Sequence, residues 1–286
     1  MTYRIPLGDW ADSFVGWLTS ALGAVFDLLG ALLRGSYDLV FPVLATPPFL
    51  VVAVVLAAAA FAAKGWRLAV GSLLGFAVIR GVDQWDNAMA SLALVLVASV
   101  IALAVGIPVG IWAARNARVS AAVRPVLDFM QTMPAFVYLI PAVVLFRVGV
   151  VPGLVATIIF ALAPGVRFTE LGIRQVDGEV VEAGHAFGAT PGRILRQVQL
   201  PLALPTIMAG VNQVIMLALS MVVISGMVGA AGLGQDVVQA LQRVDIGLGF
   251  EAGLSVVVLA MYLDRVTAAL GDRSPVARAL KVRAAA

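Results

Sequence analysis

The residues of this chain that could do chemistry are few, and they gather in one place. Of 286 residues, 62% are hydrophobic and 12% charged, with one histidine and no cysteine. The stretch VVEAGHAFGATPGRILRQVQLPLALPTIMAGVNQ (180–213) holds Glu182, that histidine (His185), Arg193 and Arg196 between two apolar segments. Without a thiol or a second histidine, thiolate and polyhistidine metal sites and a cysteine nucleophile are excluded. The apolar segments carry few acids and no pair of them for general acid–base work. The two lysines, Lys64 and Lys281, stand outside any G-K-[ST] phosphate loop, so this chain does not power a reaction by that chemistry. What the charged stretch offers is recognition rather than catalysis.

Its local signals predict two short helices. Asp177 through Phe187 reads as the first, with Glu179 and Glu182 in its opening turns, where the helix dipole favours acids. Gly188 is placed to end it in a left-handed cap. Thr190 then reads as an N-cap, with Pro191 at the first position of a second helix. That helix sets Arg193 and Arg196 against Ile194, Leu195 and Val198. Leu200-Pro201 is expected to stop it, and Pro205 to open the next apolar segment. Spacing alone leaves two readings, a helix–turn–helix that docks into a partner's groove or merely a capped loop. A connector has no need of two amphipathic helices, which favours docking.

The surrounding elements belong to a membrane. Soluble domains are about half apolar and a quarter charged, whereas the mean hydropathy here is +1.02. The fold class is all-α, a polytopic membrane protein. About seven spans are expected, over 48–63, 66–82, 88–114, 129–146, 151–168, 205–228 and 253–270. Helices follow because every backbone amide in lipid needs an internal partner and no strand-like alternation recurs. The chain divides into an extracytoplasmic segment (1–47), a first hairpin (48–84), a core (85–270) containing the insert (177–204), and a tail (271–286). With the insert in the cytoplasm, only Arg4, Arg34, Arg80, Arg147 and Arg243 of the 19 basic residues fall outside, as the positive-inside rule requires. The N-terminus is then outside and the C-terminus cytoplasmic. The sequence pI of about 9.7 thus reflects topology and does not point to nucleic acid. Residues 10–33 repeat apolar side chains at three- and four-residue spacing, which suits a helix lying in the outer interface; an eighth span is the alternative.

Polar residues within spans are the candidates for a translocation path. Asn212, Gln213, Met216 and Ser220 mark one helix face, with helix-to-helix hydrogen bonding as the competing use. Met133, Phe136 and Tyr138, with Pro134 and Pro141, form a second surface on a helix that prolines would bend; ordinary packing is its alternative. Gly106 with Gly110, and Gly71 with Gly75, have the spacing of close helix contacts. His185 reads as an exposed docking residue.

The segment EAGHAFGATPGRILRQVQLP resembles the EAA loop of ABC-importer permeases. Glu182, Ala183, Gly188, Leu200 and Pro201 match its pattern, while Gly184 stands in place of alanine. The segments FMQTMPAFVYLIPAVVLF, TIIFALAPGVRFTELGI and LPLALPTIMAGVNQVIMLALSMVVISGMVGAAGLGQDV, with LDRVT (263–267), resemble the permease subunit of glycine betaine/proline betaine importers. The resemblance covers roughly 85–270. It implies a type I ABC-importer permease fold, a homodimer in the bacterial inner membrane, two ATP-binding subunits that hold ATP and magnesium, and an external substrate-binding protein. It also implies that the insert couples to the ATPase, through residues that include Glu179, Glu182, Ala183, Gly184, Gly188, Thr190, Pro191, Leu200 and Pro201. No cofactor is expected in this chain. The cargo would be glycine betaine, choline, proline betaine or a similar osmolyte. An amino-acid importer of the same build is the runner-up, and a secondary transporter a more distant one.

Overall fold

The computed structural model describes residues 6–272. The expected tail and the basic residues at 4, 273, 278, 281 and 283 lie outside them. The elements in order are α1 (Leu7–Ala45), α2 (Phe49–Lys64), α3 (Trp66–Gly81), α4 (Trp85–Arg115), α5 (Ala117–Thr132), α6 (Ala135–Phe146) and α7 (Val150–Arg174). Then follow α8 (Gly178–Ala186), α9 (Pro191–Ile194), a π turn (Leu195–Gln199), α10 (Leu200–Gly226), α11 (Leu233–Arg243) and α12 (Ile246–Asp272). Among the described residues five helices are long and apolar enough to cross a membrane, α1, α4, α7, α9–α10 taken together, and α12.

The core is built by α4, α7 and α10. Along the first half of α4 nearly every side chain is buried, Trp85, Met89, Leu92 and Val95 among them. Such all-round burial is what an all-round apolar helix demands. Small residues set the approach of the helices. A Cβ at Gly110 would stand 2.6 Å from both Thr169 Cβ and the Val166 carbonyl oxygen, and one at Gly106 would stand 3.3 Å from the Gly165 backbone. The GIPVG glycines therefore pack α4 onto α7, as their spacing predicts. Thr157, Thr169 and Thr267 return their hydroxyls to backbone carbonyls four residues back, whereas Ser99 Oγ, also buried, has no protein partner among the described residues.

Three expectations change. First, 129–146 is not one bent span but parts of two helices. Met133 (ψ 132°) and Pro134 (ψ 136°) are extended, and α5 meets α6 at 95°. A residue before proline is driven out of the helical region, and proline brings no amide to continue the ladder. Hydropathy records the composition of this stretch but not its path. The Tyr138 hydroxyl donates toward the carbonyls of Met130 and Met133 (3.0 and 3.2 Å), which are left over at the end of α5. Second, Leu200-Pro201 does not stop the second insert helix. The i−5 bond from the Leu200 amide to the Leu195 carbonyl widens the helix one turn before Pro201, and the chain continues into α10. Third, the helix expected over 10–33 runs from Leu7 to Ala45, with a kink at Leu22. Phe26 packs edge-on against Phe146 at 5.7 Å, while Tyr37 is buried against Ala93, Leu94 and Val97. Both ends of this half, at Phe146 and beside Trp85, lie at the bundle end opposite the insert. The second half of α1 thus lies across that end of the bundle.

One helix goes unforeseen. Within GAAGLGQDV, Leu233 begins α11, whose buried residues include Leu233, Gly234 and Ala240. The Leu233 amide donates to Ser91 Oγ (2.9 Å), and the Asn87 amide group donates to Asp236 (2.6 Å). These bonds staple α11 to the start of α4.

Candidate coupling insert and translocation path

The insert forms as its signals predict. Asp177 accepts from the Glu179 amide at 3.0 Å, capping α8. Gly188 has φ +75°, and its amide donates to the His185 carbonyl while that of Ala189 donates to Gly184. The Thr190 carbonyl receives the Arg193 and Ile194 amides, although its hydroxyl makes no cap bond. Glu179, Glu182, Ala183 and His185 are exposed, and α8 has no buried residue. Gly184 is the exception, because a Cβ there would be 3.3 Å from Ile194. The glycine lets α8 rest on the second helix.

The two halves have different attachments. Leu195 and Leu200 join Ile173, Ala203 and Ile207 in one apolar cluster with Ile107 and Ile111 of α4. The second half is therefore seated in the bundle, while α8 projects from it. Phe187, 92% exposed at the tip, was missed by the sequence reading. Its only signal is a large aromatic standing immediately before a cap glycine. An aromatic so exposed between two capped helices has the form of an interface anchor.

A second missed group stands at the foot of the insert. Glu170, on α7, is buried and accepts from Ser120 Oγ (2.7 Å) and from Arg174 (2.9 Å) and Arg124 (3.3 Å). Arg174 also donates to the Ala113 carbonyl at the end of α4 (3.0 Å). Arg167 pairs with Asp128 of α5 nearby. One buried carboxylate thus ties α5 and α7 together, and through Arg174 reaches α4, four residues before α7 ends.

The expected path residues separate. Gln213 and Ser220 are exposed on one stripe of α10 that Met227 continues, with Met216 half-buried beside it. Ser220 Oγ donates only to the Met216 carbonyl, 3.0 Å. Asn212 turns to α12, donating to Asp264 (3.0 Å) and accepting from Thr267. Here the competing helix-to-helix use prevails. Tyr138 packs with Phe160 and Ile224 around Met221 and Leu139, which sets α6 beside the upper half of α10. Phe136 is half-exposed and Met133 lies at the bend.

A bundle with a capped, protruding helix–turn–helix and an exposed stripe along one core helix suits a transport subunit. Residues 106–274 match the family model described as binding-protein-dependent transport system inner membrane component. The chain belongs to that family. It is 47% identical over 92% of its length to the glycine betaine transport system permease protein OpuAB of Bacillus subtilis, covering 94% of that protein. It is also 47% identical to the glycine betaine/carnitine transport permease protein GbuB of Listeria monocytogenes, over 94% of this chain and 97% of that one. Identity to the glycine betaine/proline betaine permease ProW of Escherichia coli is 45%, over 94% of this chain and 76% of that one. Among solved structures, the fold is similar to the inward-facing MetNI methionine ABC transporter, with a TM-score of 0.58 and 24% identity over 67% of this chain and 93% of that one. The type I ABC-importer permease fold and the role of transport subunit follow. Relatives of this kind are permeases rather than enzymes, and the family works with an ATP-binding subunit and a binding protein.

Proposed function

We propose that this chain, paired with a second copy of itself, forms the translocation path of an importer for glycine betaine and related quaternary ammonium osmolytes. The identity of 45–47% with three betaine permeases over more than nine-tenths of the chain carries this reading. The N-terminus is outside and the C-terminus cytoplasmic, which the distribution of basic residues supports. ATP and magnesium bind in the partner subunit, and α8 with Glu179, Glu182, Ala183 and Gly184 docks there. Gly188, Thr190 and Pro191 hold the turn, while Leu200 and Pro201 pass motion into α10. Gln213, Met216 and Ser220 of α10, with Met133, Phe136 and Tyr138 beside the bend, face the path; Asn212 fixes α10 to α12. Neutral hydroxyl, amide and aromatic surfaces suit brief contact with a quaternary ammonium group, which has no hydrogen-bond donor of its own. A weak site is what passage needs, and tight recognition belongs to the external binding protein.

The test is uptake of labelled glycine betaine by proteoliposomes holding this chain and its co-purified ATPase, with the binding protein outside and ATP inside. ATP-dependent uptake that excess betaine or choline suppresses is the expected result. Uptake without ATP, or suppression by methionine alone, would overturn it. Two substitutions probe the insert. Gly188→Val places a β-branched residue in the left-handed region, at about 1–2 kcal/mol for the backbone alone, although nothing lies within 4 Å of its Cβ. Membrane insertion should survive while uptake falls at least about tenfold. Phe187→Ala should weaken ATPase retention by roughly thirtyfold, the effect of losing an anchor worth about 2 kcal/mol, as measured by titrating the ATPase onto immobilised permease. Unchanged affinity would remove Phe187 from the interface.

A further inference from the structure

A groove of about 350 Å³ runs between α3 and α12, lined by Leu68, Gly71, Gly75, Val258, Met261 and Arg265. Its shape follows from two glycines one turn apart. A Cβ at Gly75 would stand 2.7 Å from Val258 Cγ1, so the helices touch there. At Gly71 a Cβ would meet nothing within 4 Å, so the missing side chain leaves open space. The polar groups of the walls are already used. Ser72 donates to the Leu68 carbonyl (2.8 Å) and Tyr262 to the Leu56 carbonyl (3.0 Å). The walls therefore present hydrocarbon, with one exception at one end.

That exception is Arg265. Its side chain is half-exposed, and among the described residues its acidic partner is Asp264, at 3.8 Å. Asp264 meanwhile accepts from Asn212, which leaves most of the guanidinium donors free for something else. Leu68 shares this end of the groove, and the α2–α3 turn just before it carries Lys64 and Arg67, the latter stacked on Trp66 at 5.8 Å. Lys64 and Arg67 thus stand at the same end of the α2–α3 hairpin as the Arg265 end of the slot. It is the insert end of the bundle, because Gly271, further along α12, packs on Met208.

We propose that this groove binds a phospholipid with an acidic headgroup, one acyl chain lying along Gly71 and Met261 and the phosphate meeting Arg265. Slot and charge call for both parts in one molecule. A basic side chain near a membrane surface attracts an anionic lipid by about 1 kcal/mol, and the slot adds chain selectivity by shape. The site does not depend on what the importer carries.

Native mass spectrometry of the permease–ATPase complex, titrated with phosphatidylglycerol and with phosphatidylcholine of the same chains, tests it. Phosphatidylglycerol should bind at least about tenfold more tightly. Gly71→Leu should weaken both lipids together by filling the slot, and Met261→Trp should do so from the other wall. Arg265→Gln should cut the preference roughly fivefold, weakening phosphatidylglycerol more than phosphatidylcholine. ATPase retention reports that each variant is folded. Equal affinity for the two lipids, unchanged binding in both filled-groove variants, or an intact preference in Arg265→Gln would each overturn the proposal. So would loss of a permease pair in Gly71→Leu with lipid binding intact, since the groove would then seat protein.

Discussion

Replacing Gly234 by alanine is expected to cost this protein more than any other single methyl group. A Cβ there would lie 2.0 Å from the Val222 carbonyl oxygen and 2.7 Å from its carbon, and a Cβ at the facing Gly226 would stand 2.3 Å from the Gly234 carbonyl carbon. All these atoms belong to backbone, so no rotamer change relieves the clash. The start of α11 must move away from the end of α10, and the bonds from Leu233 to Ser91 and from Asn87 to Asp236 move with it. Overpacking a core costs about 1–3 kcal/mol, and the loss of these two hydrogen bonds, one buried and one part-buried, adds about 1 kcal/mol each. The expected result is a steep fall in folded, detergent-stable protein, with early protease cleavage between α10 and α12. Gly71→Ala is the control, since its methyl group enters open space. Equal stability of the two variants would mean that α11 is not held by this contact.

The sequence made elements legible where local rules governed them. The hairpin of α2 and α3 falls within a few residues of 48–63 and 66–82, because hydropathy and Gly65 both mark it. The left-handed cap at Gly188 and the entry at Pro191 are likewise local. Legibility ended where the deciding partner was remote. Glu170 lies 50 residues from Ser120 and 46 from Arg124, and nothing local marks those three as one cluster. Arg124, Arg167 and Arg174 read only as topology signals, which they also are. Asn212 shows the limit of periodicity. Eight residues at about 100° each leave it roughly 80° from Ser220, whereas seven leave Gln213 only about 20° away. That difference is enough to turn Asn212 toward Asp264 and Gln213 toward the open stripe. Proline acted differently at the two sites, breaking the helix at Pro134, where a bend was expected, and passing without a break at Pro201, where a stop was expected. At the first, no widened turn precedes the ring and the helix breaks; at the second, the π turn absorbs it.

Removal of the Glu170 carboxylate is expected to uncouple the insert from the bundle while leaving the insert itself folded. Cluster geometry and apolar seating divide the labour here. Leu195 and Leu200 fix the second half of the insert by burial, which has no direction, whereas Glu170 fixes α7 to α5 by bonds of 2.7–3.3 Å, which do. Under the proposed coupling, a push delivered at α8 would travel along α7, because Arg174 is the last residue of that helix and Val176 joins the apolar cluster beneath the insert. Without the carboxylate, Arg124 and Arg174 lose their shared acceptor and Ser120 its bond. Removing one partner of a fully buried pair costs about 3–5 kcal/mol, but both guanidinium groups are well exposed (63% and 40%), and solvent screening brings the figure to about 2 kcal/mol. Glu170→Gln keeps an acceptor of the same shape without the charge, and should lose roughly half as much. The check is a pair of measurements on each variant, resistance to denaturation in detergent and betaine uptake per ATP hydrolysed. Uptake per ATP should fall about tenfold in Glu170→Ala and partly recover in Glu170→Gln, while ATPase retention, which depends on α8 and Phe187, stays constant. If retention fell in step with uptake, Glu170 would be shaping the docking surface itself, and the bonds between α5 and α7 would carry no part of the stroke.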